Sequence, residues 1–152
     1  MSPRGGSFPK GSAMAARSHR VVQRDWDGAN IAHLATLQPD GAPRVEPVWV
    51  ARDGDLVLMT TDAGTLKGRN IEADPRVAVS IVDFDNPYEQ LLIRGRVVDL
   101  RPDEDLAFLD SLSMQYTSRP FARRKWNRRV VCVIEPTVAR FHRSPLVHAP
   151  SG

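Results

Sequence analysis

Between positions 59 and 70 the chain reads Met59-Thr60-Thr61-Asp62-Ala63-Gly64-Thr65-Leu66-Lys67-Gly68-Arg69-Asn70, and these residue types in this order have the makings of an anion site. Two threonine hydroxyls close what reads as a β-strand, a glycine permits a tight turn, and a helix then begins with a lysine in its first turn. Hydroxyl donors, unsatisfied backbone N–H groups, the positive end of a helix dipole and one point charge are what a phosphate needs. The same residues also suit a plain surface helix, with Thr65 as its N-cap and Lys67 in solvent. What surrounds the turn decides between the two.

One hairpin earlier, Val45-Glu46-Pro47-Val48-Trp49-Val50 sets a proline inside a strand. Proline cannot donate to a ladder, so this strand is expected at an edge or at a bulge. Its backbone can then turn toward a planar ligand, with Trp49 either supporting a ring or filling the core. Further on, Arg119, Arg123, Arg124, Lys125, Arg128 and Arg129 are interleaved with Phe121 and Trp126. Charge mixed with aromatic rings suits single-stranded nucleic acid or a polyanionic small molecule, and equally a solvated loop. His19, His33, His142 and His148 make no close pair of the kind a metal site uses; His33 falls in a strand as a core or interface residue. No serine elbow, Walker loop or Rossmann glycine fingerprint is present.

The elements that must carry these residues are mostly strands. Ile31–Leu37, Val45–Ala51, Leu56–Thr61, Val77–Phe84, Gln90–Leu100, Arg129–Glu135 and Val138–His142 read as seven, joined by turns such as Pro39-Asp40-Gly41 and Asp53-Gly54. A short helix is expected over Thr65–Ala73, with Leu66, Asn70 and Ala73 on one side and Pro75 stopping it. A second helix is expected from Pro102-Asp103-Glu104-Asp105, its acidic first turn complementing the dipole, with Leu106, Leu109, Leu112 and Tyr116 as its apolar stripe. Strands apolar on both faces, such as Val77–Val82, call for two layers of cover: a barrel interior on one side and a helix or second chain on the other. A homodimer meets that need.

The 152 residues fit one domain. Residues 1–18, rich in Gly, Ser, Pro and Ala, read as a disordered leader; residues 19–143 carry the fold; residues 144–152 read as a loose tail. No apolar run approaches a membrane span. The lone Cys132, within Val130–Ile134, excludes an intrachain disulfide and suits a reducing, cytoplasmic setting; burial among apolar groups would raise its pKa and keep it inert. Of the 21 basic residues only Lys10, Lys67 and Lys125 are lysines, and arginine is the better bidentate partner for phosphates and carboxylates.

Taken in order from Ala29 to His142, the pieces resemble the pyridoxamine 5'-phosphate oxidase-like split β-barrel superfamily, and within it the reductases that use the deazaflavin coenzyme F420. The resemblance rests on Ala35-Thr36-Leu37 with Asp40-Gly41, Pro47-Val48-Trp49, Gly54-Asp55, Thr60-Thr61 followed by Lys67 and Asn70, Asp74-Pro75-Arg76-Val77, and Arg94-Gly95. It implies a mainly β, FMN-binding-like split barrel of about seven strands and two to three helices, and an oxidoreductase whose cofactor carries the chemistry. It further implies that Thr60, Thr61, Thr65 and Lys67 hold the cofactor's phosphate, with Asn70 at the same helix end. The backbone of Pro47, Val48 and Trp49 would flank the ring, and Gln90 or Tyr88 would reach the ring from a partner chain. Arg123, Arg124 and Arg128 would face the oligoglutamate tail of F420. The implied reaction is hydride transfer to a small-molecule acceptor in a cytoplasmic homodimer, with FMN as the alternative cofactor and a non-catalytic cofactor- or nucleic-acid-binding module as the third reading. Leu91 and Leu92 depart from the basic and β-branched mix of the oxidases, which points away from oxidation of pyridoxamine phosphate.

Overall fold

A computed structural model describes residues 28–150; the expected leader lies outside them. Seven strands form one sheet: β1 (Ala32–Leu37), β2 (Pro43–Val48), β3 (Ala51–Asp53), β4 (Leu56–Asp62), β5 (Arg76–Val82), β6 (Glu89–Pro102) and β7 (Arg129–Arg143). Helix α1 spans Leu66–Ala73, and α2 spans Ala107–Thr117 after a 3-10 turn at Glu104–Leu106. The strand order is β2-β1-β5-β6-β7-β4-β3, every neighbouring pair antiparallel. β2 and β3 stand at opposite ends of that order, yet only Trp49 and Val50 separate them in the chain. Three residue steps reach at most about 11 Å, so the sheet curls until its two ends meet and a barrel results.

Alternation along the strands sends Leu34, Val57, Met59, Ile93, Cys132 and Ile134 into the barrel interior, where each is essentially inaccessible. Their neighbours Leu58, Val131 and Val133 form a second cluster on the outside of β4 and β7, covered by Phe108 of α2. The first face is closed by the barrel itself and the second by a helix, as strands apolar on both sides require.

The strand count agrees with expectation, but its partition does not. The segment expected as one strand over Val45–Ala51 is two, because the chain turns the barrel corner at Trp49-Val50, a bend that alternation does not reveal. The two strands expected at 129–135 and 138–142 are one, β7, continuous through Pro136. Register shifts between Arg94 and Gly95 and between Val97 and Asp99 absorb its curvature. A Cβ on Gly95 would lie 2.4 Å from the Glu135 carbonyl oxygen, so only glycine lets β6 and β7 close up there. The second helix starts at Ala107 rather than at Pro102, since Asp105 and Leu106 take positive φ (55° and 57°). Asp103 still serves that helix: its two carboxylate oxygens accept the N–H groups of Phe108 (2.9 Å) and Leu109 (3.0 Å). Leu109 and Leu112 are buried as the stripe requires.

The barrel corner is clasped by the end of α2. The Tyr116 hydroxyl accepts the Val50 N–H (3.1 Å) and donates to the Asn30 carbonyl (2.7 Å). Gln115 Nε2 donates to the Gly28 carbonyl (2.9 Å). The Trp49 ring stacks on Tyr116, with centroids 5.1 Å apart and planes 11° from parallel. Tyr116→Phe keeps that stack and leaves the N–H of Val50, a 1% exposed residue, without its acceptor. We expect a loss of about 1–3 kcal/mol with an unchanged denaturant slope in urea unfolding; a loss below about 0.5 kcal/mol would show that the corner holds without the clasp.

Candidate functional site

Helix α1 begins where β4 ends, and local contacts fix its position. Thr65 is the N-cap: its Oγ1 accepts the Gly68 N–H (3.2 Å), and its hydroxyl donates to the Asp62 carbonyl (2.7 Å). Gly68 presses on the turn, where a Cβ would meet the Asp62 carbonyl oxygen at 2.7 Å and Ala63 Cα at 2.8 Å. Asn70, buried, donates from Nδ2 to Thr36 Oγ1 on β1 (3.2 Å). Ile71 fills the core below. The expected inward side of Leu66, Asn70 and Ala73 is therefore corrected: Gly68, Asn70 and Ile71 are buried, while Ala73 is exposed. A helix seated through a bare glycine backbone is invisible to hydrophobic periodicity.

Asp62 fixes the other side of the turn. Its Oδ1 accepts the Gly64 N–H (2.9 Å), and its Oδ2 accepts those of Asn127 (2.8 Å) and Arg128 (3.2 Å). The Ala63 N–H donates to the Arg128 carbonyl (2.9 Å), and Arg128 pairs with Glu72 of α1 (2.7 Å). The basic loop is thus fastened directly to the candidate site. Sequence reasoning passed over Asp62, although an aspartate two residues before a glycine is a turn former with a known mechanism.

Lys67 turns inward. Its ammonium lies 3.5 Å from Glu46 Oε1 of β2, with the side chain only 17% exposed, and the other Glu46 oxygen faces Arg44 at 3.8 Å. An ammonium has three hydrogens to give, and Glu46 is its one close carboxylate among the described residues. The N–H groups of Leu66 and Lys67 have no acceptor among the described residues, as expected for the first turn of a helix. Thr61 Oγ1 lies 3.1 Å from Thr65 Oγ1. Among the described residues its hydrogen can go to that oxygen or to the Asp62 carbonyl at 3.4 Å. This donor set — one ammonium, two backbone N–H groups and a hydroxyl — suits a phosphate.

The residues singled out from the sequence divide. Thr61 and Thr65 meet at 3.1 Å, Lys67 stands on the helix turn that Thr65 caps, and Asn70, further along α1, faces Thr36 of β1. Thr60 stands apart: successive residues of a strand face opposite ways, and Thr60 instead donates to the Val130 carbonyl (3.0 Å) and accepts from Arg129 Nη2 (3.0 Å) on the side that carries α2. Pro47 is exposed on the end strand β2, Val48 is buried in the barrel, and Trp49 stacks on Tyr116 and meets Phe121 in a T-shaped contact. Trp49 is accordingly a corner residue packed against two other rings. Arg124 is bidentate to Asp110 of α2 (2.6 and 3.0 Å), which holds that carboxyl below its usual range. Arg123 lies over the Trp126 ring at 3.8 Å, and Arg129 lies over the same ring at 4.4 Å. Tyr88 packs near His148, and Gln90 pairs in register with Val82 and His142. That register sets Gln90 at the end of the sheet where β1 begins, whereas Asn70 meets β1 near its other end. His33, expected in a core or interface, is exposed. Cys132 is buried, which drives its thiol up to about 12 against the opposing charges of Lys67 and Arg129.

Comparison with known proteins adds three findings. The chain matches the pyridoxamine 5'-phosphate oxidase family over residues 19–143. A solved F420 reductase is 39% identical, over 75% of this chain and 91% of that one, with a TM-score of 0.69. A conserved hypothetical protein from Mycobacterium tuberculosis (24% identity, 94% and 97% covered, TM-score 0.64) and an FMN-binding protein related to pyridoxamine 5'-phosphate oxidase from Nostoc punctiforme (16%, 84% and 80%, TM-score 0.54) share the fold. No curated protein matches the chain.

Burial pushes the Asp62 carboxyl upward, but the N–H groups of Gly64, Arg128 and Asn127 and the charge of Arg129 outweigh it, so its pKa lies below the ordinary 3.8. A carboxyl with a lower pKa folded than unfolded adds stability above its unfolded pKa, and that contribution disappears as pH falls through the folded value. Asp62→Asn should cost about 1–3 kcal/mol at pH 7, with the gap to wild type narrowing below the ordinary carboxyl pKa of 3.8. Urea unfolding measured across pH checks this; a gap independent of pH would contradict it.

Proposed function

The chain belongs to the pyridoxamine 5'-phosphate oxidase family, and from that premise we propose that it is an oxidoreductase that holds coenzyme F420 by its phosphate and reduces a small organic acceptor. The observation that carries the reading is Lys67: a sheltered ammonium carried on the first turn of α1, where the Leu66 and Lys67 N–H groups have no acceptor among the described residues and the N-cap hydroxyl of Thr65 meets Thr61. Those residues fit a phosphate by charge and by donor count. The likeness to an F420 reductase at 39% identity over most of both chains favours the deazaflavin. When bound in its reduced form, such a cofactor supplies a hydride.

In this reading the protein's own residues bind, orient and exclude water. Lys67 and the N–H groups of Leu66 and Lys67 neutralise the phosphate; Asn70 holds α1 against β1 so that those donors keep their positions. The exposed strand β2, with Pro47, supplies backbone beside the site, and Trp49 fixes the corner that follows it. A second copy of the chain covers the outer face of β1, β5 and β6, where Ile31, Leu92 and Val98 are exposed. Ala35, Ala78, Arg94 and Val138 border an apolar groove of about 520 Å³ on this side of the sheet. Tyr88 and Gln90, remote from α1 within one chain, reach the site across that seam. Of the three arginines expected at the tail, Arg123 is the one with no carboxylate partner among the described residues, its guanidinium lying over Trp126 and its Nε donating to the Lys125 carbonyl, and it is the one left to meet an anionic tail. The lone buried thiol suits a cytoplasmic enzyme.

Fluorescence titration of the purified protein with F420 and with FMN tests the assignment. We expect binding of F420 in preference to FMN, and a loss of about 1.5–3 kcal/mol on Lys67→Ala, the worth of a charged hydrogen bond. A preparation that carries FMN stoichiometrically and ignores F420 would make it an FMN enzyme; unchanged affinity in the variant would move the phosphate site elsewhere.

A further inference from the structure

Glu46 is a carboxylate inside a site that reads as anion-binding, and phosphate capture by Lys67 gives it no role. It is not a stray surface charge. It lies on β2 with 27% of its side chain exposed, facing Lys67 with one oxygen (3.5 Å) and Arg44 with the other (3.8 Å). Period-two alternation along β2 sends Arg44, Glu46 and Val48 to one side of the strand, and Val48 is in the barrel core. The carboxylate therefore points toward the barrel end that α1 crosses. Other charges near this end are paired off elsewhere: Glu72 with Arg128, Asp74 with Arg76, and Asp62 with the backbone on the opposite face of β4. Arg69 of α1 and His33 of β1 are exposed.

We infer that Glu46 sets the charge specificity of the cofactor site, making it select a singly charged phosphodiester over a doubly charged phosphomonoester. The inference rests on the phosphate reading of Lys67. Arg44, Glu46 and Lys67 together carry one net positive charge. A phosphodiester, such as that of F420, brings about one negative charge and leaves the cluster neutral. A phosphomonoester, such as that of FMN, carries about −1.5 to −2 near pH 7, so it leaves an excess negative charge beside the Glu46 carboxylate. In a partly hydrated site a few ångströms across, one additional like charge weakens binding by about tenfold. A site built only from Lys67 and Arg44 would favour the monoester instead.

The test compares F420, FMN and phosphate-free riboflavin on the intact protein by fluorescence titration, in wild type, Glu46→Gln and Glu46→Asp. Glu46→Ser is a second neutral variant should the glutamine refold poorly or re-bond to Lys67. Neutral variants should bind FMN about tenfold more tightly, while riboflavin is unmoved and F420, with the smaller phosphate charge, gains only about three- to fivefold. Glu46→Asp, which keeps the charge, should retain the wild-type preference. Equal shifts for F420 and FMN, or an unaltered FMN affinity in both neutral variants, would overturn the role of Glu46. Failure of wild type to bind either cofactor would instead overturn the phosphate reading itself, and the two failures are therefore separable.

Discussion

A buried carboxylate at the end of β4 holds the candidate site in place. Asp62 gathers the N–H groups of Gly64, Asn127 and Arg128 onto its two oxygens, and in doing so ties the turn before α1 to a loop more than sixty residues away. Three charge-assisted hydrogen bonds, together with the charge of Arg129, keep the carboxyl ionised despite burial. With Asp62 so engaged, its own carbonyl is left to receive Thr65, the N-cap hydroxyl. The helix start, and with it the orientation of Lys67, follows from that arrangement.

The two faces of β4 divide the work. Thr61 faces the turn that begins α1, while Thr60 and Asp62 face Arg129 and the loop that runs over it. Within that loop, Trp126 carries two guanidinium groups, and Phe121, Trp49 and Tyr116 continue the packed rings to the barrel corner. The corner that closes the barrel and the loop that brackets the donor set are thus one continuous layer of aromatic and charged side chains. A lesion at either end would be felt through that layer, since rings in contact transmit displacement rather than absorb it.

Much of this is legible in the residues. Pro47 calls for an end strand and β2 is one; the Thr65 cap, the inert Cys132 and the strand count are all readable from residue types and period. What escapes has physical reasons. The bend at Trp49-Val50 and the continuity of β7 through Pro136 are tertiary, set by barrel closure and by a bulge at Gly95. Grouping Thr60 with Thr61 ignores the strict alternation of a strand, a signal that the residues do carry. Glu46 and Asp62 escape because a search for phosphate donors looks past carboxylates, although one organises the turn and the other faces the lysine. Arg124 and Arg128 of the basic loop read as free charge, but their partners Asp110 and Glu72 lie 14 and 56 residues away in sequence.

An anionic cofactor group captured where β4 hands over to α1 is the premise on which the functional reading stands. The most direct measurement is a map of backbone amide resonances during titration with F420. The largest shifts are expected on Leu66 and Lys67, whose N–H groups lack an acceptor among the described residues. Silence at those two amides, with the shifts gathered instead along the groove bordered by Ala35, Ala78 and Val138, would contradict it.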